Sequence, residues 1–127
     1  MRFMCLVYFE PGAFDGLTEE QSKVLSDETI EADHALADGG HLVAEGPLQS
    51  PSTAVTVRVR AGKASRTDGP FLETKEWLGG FFVIETRDLE EAIAIASGSP
   101  IAKFGSIEVR PMLVQTHSKT GVGRPGW

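Results

Sequence analysis

The sequence predicts one α+β domain on the ferredoxin-like plan, βαββαβ, with a β-hairpin inserted between its two halves. Three observations predict it. Two segments of helical period, each opened by a capping signal, alternate with strand-like segments. A strictly alternating stretch followed by a glycine turn stands between the halves. The chain has 127 residues, 41% hydrophobic and 24% charged, the balance of a single globular domain.

Residues 2–9, RFMCLVYF, form an apolar run bounded by Glu10-Pro11-Gly12. That is the pattern of a central strand covered on both faces, with Phe3, Cys5, Val7 and Phe9 buried. Thr18-Glu19-Glu20-Gln21 is a capping box. Leu25, Thr29, Ala32 and Leu36 then share one helical face, and Gly39-Gly40 ends the helix through a left-handed residue. A second strand is expected over 41–45, ended by Gly46-Pro47. In 54–60 the valines 55, 57 and 59 face one way and Thr56, Arg58 and Arg60 the other, which predicts an antiparallel strand with one wet face. Ala61-Gly62-Lys63 turns it, and 64–67 returns as a hairpin arm. Asp68-Gly69-Pro70 breaks the chain again.

Gly79-Gly80 introduces a further strand, 81–86. Asp88-Leu89-Glu90-Glu91 has the form of a second capping box, and Leu89, Ala92, Ile93 and Ala96 form the expected buried stripe of a short helix ending near Gly98. The last strand is expected over 106–114, with Ile107 and Val109 alternating against Glu108 and Arg110. Residues 1–115 are thus read as the domain and 116–127 as a flexible C-terminal tail without periodicity. A four-stranded sheet with both helices on one face leaves the other face bare. A second copy packing sheet to sheet would cover it, so a homodimer is expected.

The bulk numbers exclude several classes. A formal net charge of −6 argues against nucleic acid, whose phosphates need a basic face. The apolar start is too short for a signal sequence or a membrane span. The single cysteine, Cys5, cannot form an intramolecular disulfide and suits a reducing compartment, so a cytoplasmic protein is expected. No two histidines stand at metal-ligand spacing and one cysteine cannot build a zinc site, so neither metal nor cofactor is expected.

The run Arg66-Thr67-Asp68-Gly69-Pro70-Phe71-Leu72-Glu73-Thr74-Lys75-Glu76, followed by Leu78-Gly79-Gly80-Phe81-Phe82, resembles the signature of the DGPF branch of the YCII-related proteins. Glu45-Gly46-Pro47-Leu48, the valine-rich strand with Gly62 in its turn, and Gly105-Ser106-Ile107-Glu108-Val109-Arg110-Pro111 match in order. The resemblance covers about residues 1–115. It implies a dimeric α+β barrel of ferredoxin-like subunits. It also implies two kinds of relative, partners of extracytoplasmic-function sigma factors and dehalogenase-like enzymes with a His–Asp pair. No histidine falls in the shared motifs here, which weakens the hydrolytic reading.

Each candidate residue has a plain structural alternative. Asp68 can act as a general base, yet Asp-Gly-Pro is also ordinary turn chemistry. Lys75, between Glu73 and Glu76, can hold an anion or belong to a solvated loop. Glu45 and Arg110 lie on strands, where they bind a ligand or pair with each other. His34 falls opposite the buried stripe of its helix, His41 opens a strand and His117 lies in the tail. Cys5 reads as an inert buried thiol. Ser65 and Ser106 lack a nucleophile-elbow context, and Gly79-Gly80 leads into a strand, so no phosphate loop is formed.

Three functions follow as expectations. The first is a dimer that binds a small polar or aromatic molecule in a pocket lined by Tyr8, Phe71 and Phe82, with Asp68, Glu45 and Arg110 as polar groups and carboxylate acid–base chemistry if it is an enzyme. The second is an accessory module that binds a sigma-factor-related protein through an apolar patch or through the tail and Trp127. The third is a dimer whose activity has been lost. Convergence of Asp68, Glu45 and Arg110 on one cavity discriminates the first from the second.

Overall fold

The computed structural model describes residues 1–126. Along the chain run β1 (Arg2–Phe9), α1 (Glu19–Asp38), β2 (Leu42–Pro47), β3 (Val55–Arg60), β4 (Lys63–Asp68), β5 (Trp77–Glu85), α2 (Leu89–Ser97) and β6 (Ser106–Pro111), with short 3₁₀ turns at Pro51–Thr53 and Pro100–Phe104. Four strands form an antiparallel sheet in the order β2-β5-β1-β6, while β3 and β4 form a two-stranded sheet of their own. This is the ferredoxin-like plan with an inserted hairpin. The inner strands, β1 and β5, are also the most apolar and carry the buried residues of the sheet, while the edge strands β2 and β6 have none.

In β1 the alternation is complete: Phe3, Cys5, Val7 and Phe9 are buried and the residues between them half-buried. With Phe82, Ile84, Ala92 and Ala96 they make the core, and both helices lie on this face. Burial pushes the Cys5 thiol up to about 11, so it stays protonated and chemically quiet near neutral pH.

The predicted capping box opens α1: the Thr18 hydroxyl accepts from the Gln21 N–H at 3.1 Å and the Gln21 amide oxygen accepts from the Thr18 N–H at 2.9 Å. At the other end Gly40, at φ 79°, takes the left-handed position and the His41 N–H reaches the Leu36 carbonyl at 2.9 Å. Leu25, Thr29, Ala32 and Leu36 do turn inward, but no residue of α1 is fully buried. The helix stands off the sheet, and the space beneath it becomes the site described below.

Three expectations are corrected. In α2 only Ala92 and Ala96 are buried, whereas Leu89 and Ile93 are 44% and 41% exposed. The helix rests on its small side chains, which rotates its buried stripe off the two larger residues. Its cap stands at Asp88 as expected, but only half of the capping box forms. Asp88 accepts from the Glu91 N–H, but the Glu91 carboxylate turns out to Arg87, whose backbone N–H and side chain hold it below the usual carboxylate range.

Second, the valines of β3 do share a face, but that face is not buried: Val55, Val57 and Val59 are 47%, 68% and 59% exposed. The arm pairs only with itself and projects from the domain. Ala61 and Gly62, at φ 51° and 75°, make its two-residue turn, whose positive dihedrals suit the twist of a hairpin. Third, β5 begins at Trp77, so Gly79 and Gly80 lie inside the strand instead of preceding it.

After β6 the Met112 N–H bonds to the Arg2 carbonyl. Residues 115–124 then fold back on themselves: Thr116 bridges Gly123, Arg124 donates to the Gln115 side chain, and His117 accepts from the N–H groups of Lys119 and Thr120. Trp127, considered above as a partner contact, lies outside the described residues. Among the described residues no helix is long and apolar enough to cross a membrane.

Candidate functional site

The gap between α1 and the sheet is a cavity of about 580 Å³. Its floor is the helix-side face of the sheet, Val7 and Phe9 of β1 and Phe82 of β5. Leu25, Thr29 and Ile30 of α1 form the opposite wall, and Ile101 and Pro47 stand at its ends. The volume lies within the range of small-molecule sites, and the walls are mostly apolar.

Two carboxylates line it, Asp33 from α1 and Glu45 from β2. Partial burial raises the Asp33 carboxyl above the ordinary carboxylate range, the charge of Glu45 raises it further, and His34 pulls the other way. Asp33 therefore keeps its proton to a higher pH than a solvated aspartate does. A group shifted in this way beside a second carboxylate can hand a proton to a bound molecule or take one from it.

Glu45 is where the sequence reading placed a ligand contact, and Phe82 joins it. Arg110 does not. Glu45, Phe82, Cys5 and Val109 form one row across the sheet, while Ala44, Val83, Met4 and Arg110 form the adjacent row. Adjacent rows point to opposite faces, because side chains alternate along each strand. Arg110 thus lies on the face without helices, where it pairs with Glu108 two residues away. Tyr8, in register with Ser106, shares that face.

Asp68, Phe71 and Lys75 sit on the arm or in the exposed loop after it. The turn at Asp68 is closed through Gly69, whose φ is 99°, whose N–H bonds to the Ala54 carbonyl at 2.7 Å and whose carbonyl accepts from the Thr56 hydroxyl. Phe71 is 64% exposed and lies under the Arg58 guanidinium, 5.0 Å from its ring centre. The trio Asp68, Glu45 and Arg110 therefore scatters instead of converging, the outcome that favours the protein-binding expectation over a pocket built on those three residues.

Each histidine is accounted for outside the cavity. His34 is exposed on α1, His41 bonds to the Glu85 carbonyl at 2.9 Å, and His117 caps the turn in the tail. Among the described residues no group of three His, Cys, Asp or Glu side chains is placed to hold a metal ion.

Asp33 was missed by the sequence reading. Its signal was present: it follows Thr29 by four residues and precedes Leu36 by three, so it flanks the buried stripe of α1 and does not oppose it. An acidic residue on that flank was hidden among the many acidic residues of the solvent face.

The family model of the YCII-related domain matches residues 1–115. An uncharacterized protein of Rhizobium meliloti (strain 1021) is 31% identical over 114 residues, covering 88% of this chain and 92% of that protein. Among solved structures, the chain resembles 5-chloro-2-hydroxyhydroquinone dehydrochlorinase from Burkholderia phenoliruptrix AC1100, in complex with 2,5-dihydroxybenzoquinone. The TM-score is 0.51 at 15% identity, covering 91% of this chain and 96% of that one. Identity that low speaks for a common fold alone.

Proposed function

This chain belongs to the YCII-related family, and on that premise we propose that it is a cytoplasmic small-molecule-binding domain whose site is the cavity under α1. The carrying observation is that an apolar cavity of ligand size holds two carboxylates, one of them with a raised proton affinity. Asp33 and Glu45 take the acid–base role that the sequence suggested for Asp68. Phenols and quinones are the first compounds to try, since the solved relative of this fold is described with one bound.

Titration with 4-ethylphenol, followed by methyl NMR, is expected to shift Ile30, Ile101 and Leu25 while leaving Val57 on the arm unmoved. Shifts confined to the arm or to the opposite sheet face would remove the proposal.

The same reading includes a dimer. The chain exposes 9154 Å², about 2,500 Å² more than the ~6,600 Å² that size scaling gives for a compact monomer of its mass. An excess of that order is what an obligate partner covers. The sheet face bearing Met4, Leu6 and Tyr8, all half-buried, has no helix on it and suits a second copy. Sedimentation equilibrium is expected to return twice the 13.7 kDa of one chain; a monomer at micromolar concentration would refute it. The exposed valines of the arm favour a second role, an accessory contact with another protein such as a sigma factor. Hydrogen exchange on the dimer separates the two: an arm protected by dimerisation leaves no surface for that contact.

A further inference from the structure

We infer that the cavity under α1 selects its ligand by charge, taking an apolar or aromatic body that carries a protonated amine and rejecting the matching carboxylic acid. This rests on the cavity being the binding site and goes on to name what binds there. Its walls supply hydrophobic contact through Val7, Phe9, Phe82 and Ile30, and its charged groups are Asp33 and Glu45. Among the described residues no lysine, arginine or histidine lines it.

The nearby cations are turned elsewhere. Lys23 of α1 faces Glu19 at 3.8 Å, and Arg110 lies on the other side of the sheet, beside Glu108. An anionic group entering the cavity would meet two carboxylates, the half-buried Asp33 and the exposed Glu45, with only His34, exposed on α1, to offset them when it is protonated. An ammonium group finds the reverse: acceptors of opposite charge, converging from a helix on one side and a strand on the other, with its hydrocarbon part against the aromatic floor.

The charge on Asp33 gives the preference a pH signature. Asp33 holds its proton above the usual carboxylate range, and the groups that bear on it are Glu45 from β2 and His34 from its own helix. As pH rises through that range Asp33 ionises and the attraction for a cation grows. Amine affinity is therefore expected to climb with pH as Asp33 ionises, at a higher pH than a solvated aspartate does, while the affinity of a neutral phenol changes little.

The test compares three probes of one shape on the full-length protein by titration calorimetry: tyramine, 4-ethylphenol and 3-(4-hydroxyphenyl)propanoate. Tyramine is expected to bind at least about tenfold more tightly than 4-ethylphenol, and the acid at least about tenfold more weakly, as charge-assisted hydrogen bonds imply. The double variant Asp33→Asn/Glu45→Gln is expected to bring all three within about twofold of one another. A far-ultraviolet circular dichroism spectrum and melting curve matching the wild type show that it is folded; a folded double variant in which tyramine still binds about tenfold more tightly than 4-ethylphenol overturns the inference. Equal affinities in the wild type, preference for the acid, or a preference for tyramine that survives in the double variant would each overturn the inference. In those cases the phenols still bind and the cavity remains the site. If none of the three binds, both the inference and the site fail.

Discussion

Gly105→Ala is expected to destabilise the protein by about 3 kcal/mol and to lower its melting temperature by about 10 °C, a size set by forced overpacking and by the entropy of unfolding a chain of this length. A β-carbon at Gly105 would lie 2.2 Å from the Tyr8 carbonyl oxygen and 2.9 Å from the Phe9 ring. The oxygen belongs to backbone in the middle of the domain, where Tyr8 is in register with Ser106 at the start of β6. It cannot move aside without parting β1 from β6. Backbone freedom is not the reason for glycine here, since its φ of −159° is ordinary extended chain. The cause is close approach. Gly16 is the matched control: a β-carbon there meets nothing within 4 Å, and Gly16→Ala is expected to melt within about 2 °C of the wild type. Thermal unfolding by circular dichroism compares the two, and a Gly105→Ala protein as stable as the control would contradict the contact.

What the sequence made legible was local. The alternation of β1, the box at Thr18, the stop at Gly39-Gly40 and the positive-φ turn at Gly62 each follow from a few adjacent residues, and each is present. What it concealed depends on pairing between distant strands. Whether Glu45 and Arg110 face each other turns on three pairings across four strands, including the irregularities between Val7 and Tyr8 and between Leu42 and Ala44. A shift of one residue reverses every side chain beyond it, and no local pattern records that shift. The arm is a similar case: Val55, Val57 and Val59 alternate as a half-buried strand does, but alternation states only that one face is apolar, not that something covers it. Leu89 and Ile93 mislead in the same way, since the face a nine-residue helix presents to a sheet is decided by how closely its alanines can approach.

The glycines at 79 and 105 show a further limit. Gly79-Gly80 looks like punctuation before a strand, yet the pair lies inside β5, Gly79 against the Phe9 ring and Gly80 against the Gly46 carbonyl. A β-carbon at Gly79 would lie 2.3 Å from the Phe9 ring on the edge away from Gly105. The ring is thus held between Gly79 of β5 and Gly105, the residue just before β6, with Phe14 edge-on at 4.8 Å between centroids and Trp77 at 6.1 Å. Glycine at both positions is the condition for a phenylalanine to lie flat at this end of the sheet and close the floor of the cavity.

Phe9→Ala removes that ring, and a loss of about 4 kcal/mol is expected, the usual range for truncating a buried phenylalanine in a core that cannot fully collapse. The change should also enlarge the cavity and weaken whatever it binds, so stability and affinity fall together. The stronger test is the pair. Gly79→Ala alone is expected to cost about 2 kcal/mol, because its β-carbon must displace the ring. In the Phe9→Ala background the ring is gone, the added methyl partly fills the space left behind, and the same substitution should cost nearly nothing. A coupling energy of about 2 kcal/mol between the two sites, measured by urea denaturation of all four proteins, is the expected result. Gly105→Ala should gain much less from the same background, since its principal conflict is with the Tyr8 carbonyl and not with the ring. If Gly79→Ala costs the same with and without Phe9, the ring is not what requires glycine there, and the account of how the sequence shapes the cavity floor is wrong.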